Sequence, residues 1–434
     1  MHLKYSKLYA FFFLLALWSC QDDEEVVAPV VEVLPPNSTE LRDTTYRLMQ
    51  RWYLWNEEMP EVDPEDYASA DDLLNALRYQ LDQWSYITTE EEYNAYFTRG
   101  EYEGYGFGWD YDDEGRIRTT LVYRDSPFGQ AGVERGWIIA KINGQATTPS
   151  TNLNNLITNA TNTFELITTE GEVVTETLTK GTININTVLH HEIINLGDKQ
   201  VGYLVFNSFL QTSTDELKPV FAEFQQAGID ELVLDLRYNG GGRVSVAEYI
   251  AGNIIGTRGT DRTFLQYAYN PSIQASIDAD PEEKASVTTT FQTPDFPLDL
   301  NRLVVIASKR TASASELLIN GLRPFMEVLV VGENTHGKPV GSFPLNYGGY
   351  TISPISFKVL NDKGEGEYFG GFPADAAVAD DITRPFGDRE EARLKEALHF
   401  IEAGSFTIAN GRTAPVRPSK DTGLRGFQWE IGAL

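Results

Sequence analysis

The chain has 434 residues, 41% of them apolar, and a formal net charge of −28. That is enough apolar sequence to fill about three domain-sized cores, which excludes a disordered protein. The acidity excludes a nucleic-acid binder, whose phosphates would be repelled, and a polybasic grip on anionic lipid.

Lys4 and Lys7 precede an apolar run from Leu8 to Trp18. The run is shorter than the roughly 20 residues a helix needs to cross a bilayer, so residues 1–19 are predicted to be a signal peptide. Leu17-Trp18-Ser19-Cys20 resembles a bacterial lipobox, with Trp18 standing where a small residue is usual. That resemblance implies a lipid on Cys20, the chain's only cysteine, and membrane attachment as an outer-membrane lipoprotein facing the periplasm or the cell surface. Acyl chains at about 0.8 kcal/mol per buried CH₂ would hold it there once two are present. With Cys20 so used, no disulfide is expected and stability must come from packing. Residues 20–40 read as a tether, and its start, Gln21-Asp22-Asp23-Glu24-Glu25, is similar to the surface-export signal of Bacteroidetes lipoproteins.

From Leu41 to about Tyr96, within an expected N-terminal helical domain of residues 41–100, the spacing is helical, with Leu48, Met49, Trp52 and Trp55 on one face and Leu73, Leu77, Leu81 and Trp84 on another. Ser69 and Asp72 suit a capping box. Residues 101–182 turn strand-like. There Gly104-Tyr105-Gly106-Phe107-Gly108 and the later Ser126 to Val133 and Gly136 to Gly144 stretches resemble a circularly permuted bacterial PDZ domain. A glycine-rich turn by itself would read as a hairpin. The resemblance implies that the Gly104–Gly108 backbone holds a peptide carboxylate while a strand edge accepts the peptide as an added strand.

Residues 183–403 alternate strand and helix, which predicts βαβ units and a largely parallel sheet, with ligand sites beyond the strand C-termini. Strands are expected at 202–206, 231–236, 303–307 and 328–331, and helices at 213–226, 244–255, 313–323 and 390–400. The stretch 256–300 breaks the alternation and reads as an excursion near the substrate. Residues 404–434 form an irregular tail whose apolar end, Glu430-Ile431-Gly432-Ala433-Leu434, is of the kind a PDZ groove prefers, which suggests self-capture or self-trimming.

Thr311-Ala312-Ser313-Ala314-Ser315-Glu316 sits between a predicted strand and a predicted helix, and Lys338 follows 25 residues after Ser313. A serine at a helix N-terminus has free backbone N–H groups and a favourable dipole beside it, the conditions an acyl-transfer oxyanion needs. A lysine can take the serine proton only when neutral, which requires its pKa to fall from about 10.4 toward 7 or 8, and burial supplies such a shift. Lys338 is therefore expected to be buried. Separately, Ser313 reads as a helix N-cap, Lys338 as a surface charge and Gly240-Gly241-Gly242 as a turn or a phosphate cradle lacking the P-loop's following Lys-Ser/Thr. Their order and spacing favour a joint site.

Together these segments resemble the C-terminal processing peptidases, tail-specific serine peptidases with a Ser/Lys dyad. The resemblance implies a multidomain α/β protein: an N-terminal helical domain, a PDZ-like β domain and a parallel-sheet catalytic domain of the ClpP/crotonase-like type. It implies Ser313 as nucleophile, Lys338 as general base, and an oxyanion hole from Gly241 or Gly242 of Asp235-Leu236-Arg237-Tyr238-Asn239-Gly240-Gly241-Gly242 together with Ala314. Ser342 stands where the family has a lysine-orienting glutamine, and Pro339 replaces a glycine. The implied substrates are proteins or peptides with exposed apolar C-termini. No cofactor is expected, since His190 and His191 lack metal-ligand spacing and His336 reads as a loop residue. The alternative is a catalytically weak or inactive binder of peptide tails or apolar ligands on the same scaffold, motivated by Ser342.

Overall fold

The computed structural model describes residues 33–407 together with Phe427. The expected signal peptide, Cys20, the start of the tether and the terminal Glu430–Leu434 segment lie outside the described residues.

A six-stranded sheet forms the centre, ordered Val188–Leu196, Lys199–Phe206, Glu231–Asp235, Arg302–Ala307, Glu327–Gly332 and Ala376–Ala377. The first pair is antiparallel and all later pairs are parallel. Leu232–Leu234 and Leu303–Ala307 are unbroken apolar runs that are wholly buried, as strands covered on both faces must be. One face packs under the helices Ser213–Ala227, Val244–Ile255 and Ala314–Leu322, and the other under Ala392–Ala403. The first helix stops at Gly228, whose φ of 68° places it in the left-handed region that glycine takes without a Cβ penalty.

The stretch 256–300 is built into the fold. Thr263–Ala268 and Thr288–Thr290 join Ile355–Leu360 and Val340–Ser342 in an antiparallel sheet of four strands. Because Val340–Ser342 begins two residues after Lys338, this second sheet becomes a wall of the site.

Residues 101–184 form antiparallel strands around Tyr105, Phe107, Phe128 and Phe164, with Phe107 and Phe128 stacked at 4.0 Å between centroids. The strand Phe107–Tyr111 lies at one end of this sheet. The short strand Glu101–Gly104 pairs instead with Gly181–Asn184.

The N-terminal region corrects one expectation. Helices Thr39–Trp52 and Ala70–Leu77 are present, the second capped by Ser69, whose Oγ accepts the Asp72 N–H at 3.1 Å. Tyr86–Thr89, however, is a strand paired antiparallel with Tyr350–Ser353. Its β-branched Ile87, Thr88 and Thr89 suit a pleated edge, and a partner 263 residues further along the chain decides the outcome. Leu81 also leaves its expected face and is 41% exposed. Met49, Leu73, Leu77 and Trp84 pack against Val340 and Ile355, so the helices brace the strand that follows Lys338.

Candidate active site

The strand Arg302–Ala307 leads into a turn whose last residue, Ser313, sits at the N-cap position of helix Ala314–Leu322. Its φ of 54° and ψ of −116° lie far from the extended backbone of an ordinary cap. Such a conformation costs a non-glycine residue about 1–3 kcal/mol and persists only where surrounding bonds impose it. Those bonds are present. Thr311 Oγ1 donates to Leu236 O at 2.7 Å and accepts the Ser308 N–H at 2.9 Å. Ser315 Oγ donates to Asn239 O at 3.1 Å, and the Ala312 N–H reaches the same oxygen at 3.1 Å. Ser315 is thus a fully buried tether, which supplies a physical reason for choosing Ser313 over it.

Glu316 binds both ends of the expected dyad. Its Oε2 accepts the backbone N–H of Ser313 at 3.1 Å and of Lys338 at 2.8 Å. Its Oε1 accepts the Gly337 N–H at 2.7 Å and the Thr335 hydroxyl at 2.6 Å. Burial pushes the carboxyl above its ordinary range, and the four hydrogen bonds oppose that shift. The motif contained Glu316 in plain view, but a helix-start glutamate reads from sequence as a capping residue. Only the return of residues 335–338 to this helix discloses its second task.

The glycine run closes the other side. A Cβ on Gly241 would stand 2.7 Å from Ser313 Cβ and 2.8 Å from Ala314 N, so the loop lies directly against the Ser313 turn. Asn239, fully buried, shapes the loop: its side chain donates to Phe206 O at 2.9 Å and accepts the Gly241 N–H at 2.9 Å. Of the two glycines expected to serve an oxyanion, Gly241 therefore has its amide engaged, which singles out that of Gly242. Gly242 and Ala314 both line one cavity of about 300 Å³ with Ser313, Lys338 and Ser342. Lys338 is 7% exposed, as a lysine base requires. The apolar wall consists of Tyr267, Leu317, Phe343, Phe357 and Val359, four of them from the second sheet and its flanks. Sequence reading missed this wall because its members lie far apart along the chain.

His336 is tied away from the chemistry: its ring Nε2 accepts the Trp84 indole N–H at 3.2 Å, and its backbone N–H donates to Thr311 O at 2.9 Å. The expected peptide-binding residues Gly104, Tyr105, Gly106, Phe107 and Gly108 lie in the antiparallel sheet region and do not line this cavity. The Tyr105 and Phe107 rings are fully buried in that region's core, and all five residues of the stretch are buried.

Residues 200–371 match the sequence profile of Peptidase family S41, and residues 42–86 match that of the Peptidase S41 N-terminal domain. The chain belongs to peptidase family S41. The first match contains every residue assigned above to the dyad and the glycine loop. Among relatives, the chain is 26% identical over 265 residues to a "Probable CtpA-like serine protease" of Staphylococcus saprophyticus, an alignment covering 58% of this chain and 50% of the relative. It is 30% identical over 166 residues to the carboxyl-terminal-processing protease of a Picosynechococcus, covering 38% and 36%. The chain thus spans about half the length, or less, of these curated relatives. A crystal structure classed as an S41 protease from Bacteroides fragilis shares the fold at a TM-score of 0.67 and 23% identity, over 83% of this chain and 97% of that one.

An ionic cluster backs the glycine loop of this S41 chain. Arg237, 1% exposed, donates to Asp235 at 2.7 Å, Asp380 at 2.7 Å and Glu391 at 2.9 and 3.0 Å. Arg135, from the antiparallel region, reaches the same Asp380 at 2.8 Å and the Tyr238 hydroxyl at 2.6 Å. Burial would raise both Asp380 and Glu391. Arg135 and Arg237 instead hold Asp380 well below the usual carboxylate range, and Arg237 holds Glu391 below its own. None of these partners was legible in the local sequence.

Proposed function

We propose that this protein is a serine endopeptidase that cleaves polypeptides near exposed C-termini through an acyl-enzyme on Ser313. One observation carries the reading: a strained serine at a helix N-terminus shares a cavity with a buried lysine and with the Gly242 and Ala314 amides. Lys338, neutral, takes the Ser313 hydroxyl proton as Oγ attacks the scissile carbonyl carbon. The tetrahedral oxyanion is met by the N–H groups of Gly242 and Ala314, and Gly241 keeps the loop close by having no side chain. Collapse releases the amine, which takes the proton back from Lys338; water then repeats the sequence to free the acid. Ser342, on the same cavity, is proposed to orient the lysine amine in place of the family's glutamine.

The apolar wall fits an apolar side chain beside the scissile bond. Substrate tails are proposed to be held first on the antiparallel region, where the Phe107–Tyr111 strand at the end of a sheet suits addition of a peptide strand in the manner of a PDZ domain. Attachment to the cell envelope through a lipid on Cys20 completes the proposal and is supported by the N-terminal sequence pattern.

Ser313→Ala and Lys338→Ala are each expected to lower kcat/KM on a denatured protein with an apolar C-terminus by about 10³-fold or more, with thermal unfolding unchanged. Undiminished hydrolysis by purified Ser313→Ala protein would sink the reading.

A further inference from the structure

The segment that leaves Lys338 runs along the cavity as a strand with one side open. Every residue from Lys338 to Pro344 lines the space that holds Ser313. Within this segment Val340–Ser342 pairs antiparallel with Ile355–Leu360 and stands at the end of the four-stranded sheet, so no strand among the described residues covers its other side.

The phase of the pairing shows which groups the open side offers. The Val359 N–H donates to Pro339 O at 3.1 Å, and the register sets Val340 opposite Lys358 and Gly341 opposite Phe357. In an antiparallel ladder the backbone groups of successive residues point alternately toward and away from the partner strand. Pro339 and Gly341 therefore face Ile355–Leu360, and the N–H and C=O of Val340 face the other way. Neither group has a hydrogen-bond partner among the described residues, although Val340 is only 3% exposed. Buried backbone donors and acceptors are almost always paired, and an unpaired set on a sheet edge is a template for one more strand. The Val340 side chain packs with Met49 and Trp84, which leaves its main chain to meet the cavity. The register shifts between Gly341 and Ser342, so the regular edge ends there.

We propose that Val340 is the main-chain anchor of the substrate: an extended polypeptide adds to the open edge, donating a backbone N–H to Val340 O and accepting the Val340 N–H, with its scissile bond beside Ser313. The proposal rests on the peptidase reading above and adds how the substrate backbone is registered against the dyad. A chain held there lies in the space bounded also by Gly242 and Ala314, whose amides are proposed to meet the oxyanion. Main-chain bonds read no side chain, so the anchor accepts any sequence that can extend and leaves discrimination to the apolar wall. It is separate from the Phe107–Tyr111 edge, which does not line this cavity.

The test uses full-length protein and substrates altered in the backbone alone. Mass spectrometry of casein, an unfolded protein, after digestion by wild type locates a cleaved bond. Short peptides spanning that bond are then made with one amide at a time N-methylated, the scissile amide excepted. One position is expected to raise KM about tenfold, because the methyl group removes a donor and blocks the edge. Methylation of its immediate neighbours, whose N–H groups point away from Val340, is expected to change KM little. In Ser313→Ala protein, hydrogen exchange at the Val340 amide is expected to slow when the unmodified peptide is bound at saturation. Equal KM across the methylated series would overturn the proposal, as would unchanged exchange at Val340 with peptide bound. A uniform rise in KM would also overturn it, since a loss without position reflects the peptide's own conformation rather than one paired residue. If wild type cleaves nothing, the peptidase reading fails, and exchange at Val340 under the tightest-binding casein peptide still decides whether the edge takes a strand.

Discussion

Two buried carboxylate clusters flank the site, and they solve the same problem in opposite ways. Asp235, Asp380 and Glu391 are held by arginine guanidinium groups, so their charges are matched by charge and the pKa values of Asp380 and Glu391 fall. Glu316 accepts from neutral donors, three backbone N–H groups and one hydroxyl, and burial raises its pKa. The difference follows from position. Behind the glycine loop, charge pairing fixes geometry without touching the chemistry. At the cavity, neutral dipoles hold the backbones of Ser313 and Lys338 instead.

Breaking the ionic cluster should have the largest effect. Arg237→Ala leaves three buried carboxylates without their shared cation, and removing one partner of a buried pair costs about 3–5 kcal/mol; urea unfolding at neutral pH should report that loss. An acid titration of the wild type separates the two clusters next. Asp380 and Glu391 have lowered pKa values in the folded state, so their contribution is complete above the unfolded values of about 4 and is lost as pH falls through the folded ones. Glu316 has the opposite sign, contributing most at low pH and less as pH rises through its raised folded value. Stability measured in urea should therefore fall steeply below about pH 4, and a wild type equally stable at pH 3 and pH 6 would contradict the ionic account.

Glu316→Gln sharpens the comparison at the site. The amide nitrogen cannot accept, so at least one oxygen's two donors lose their partner, at about 1–3 kcal/mol for each buried group left unsatisfied. We expect a lower melting temperature together with a fall in kcat of about 10- to 100-fold, because the donors released are either Ser313 and Lys338 or Thr335 and Gly337, the latter next to the lysine; a lower melting temperature with full kcat would assign Glu316 to stability alone. The smallest effect is expected from Tyr238→Phe, which removes the hydroxyl shared by Arg135 and Asp380. About 1 kcal/mol should be lost in thermal or urea unfolding, with the Arg237 pairs intact.

The elements that local periodicity can encode were legible. Residues 303–307 and the Leu232–Leu234 centre of the expected strand 231–236 read as buried strands because an unbroken apolar run admits little else. Helix 213–227 could be read to its end because Gly228 marks it. Strand 86–89 was not legible, since its four residues suit an edge only when 350–353 is alongside. The site divides in the same way: Ser313 and Lys338 are visible through their spacing, whereas the apolar wall requires folding to bring residues 267, 317, 343 and 357 together.

By itself, then, the sequence singled out a serine and a lysine 25 residues apart, the serine after a strand of a parallel sheet, and led to the expectation that the lysine would be buried, which it is. Only the tertiary structure decided that Asn239 engages the Gly241 amide and that one glutamate holds the backbones of both Ser313 and Lys338. The physical reason is range. Propensity and capping act over a few residues and leave their mark in local order, while hydrogen bonds and ring contacts between distant segments depend on where each chain segment returns.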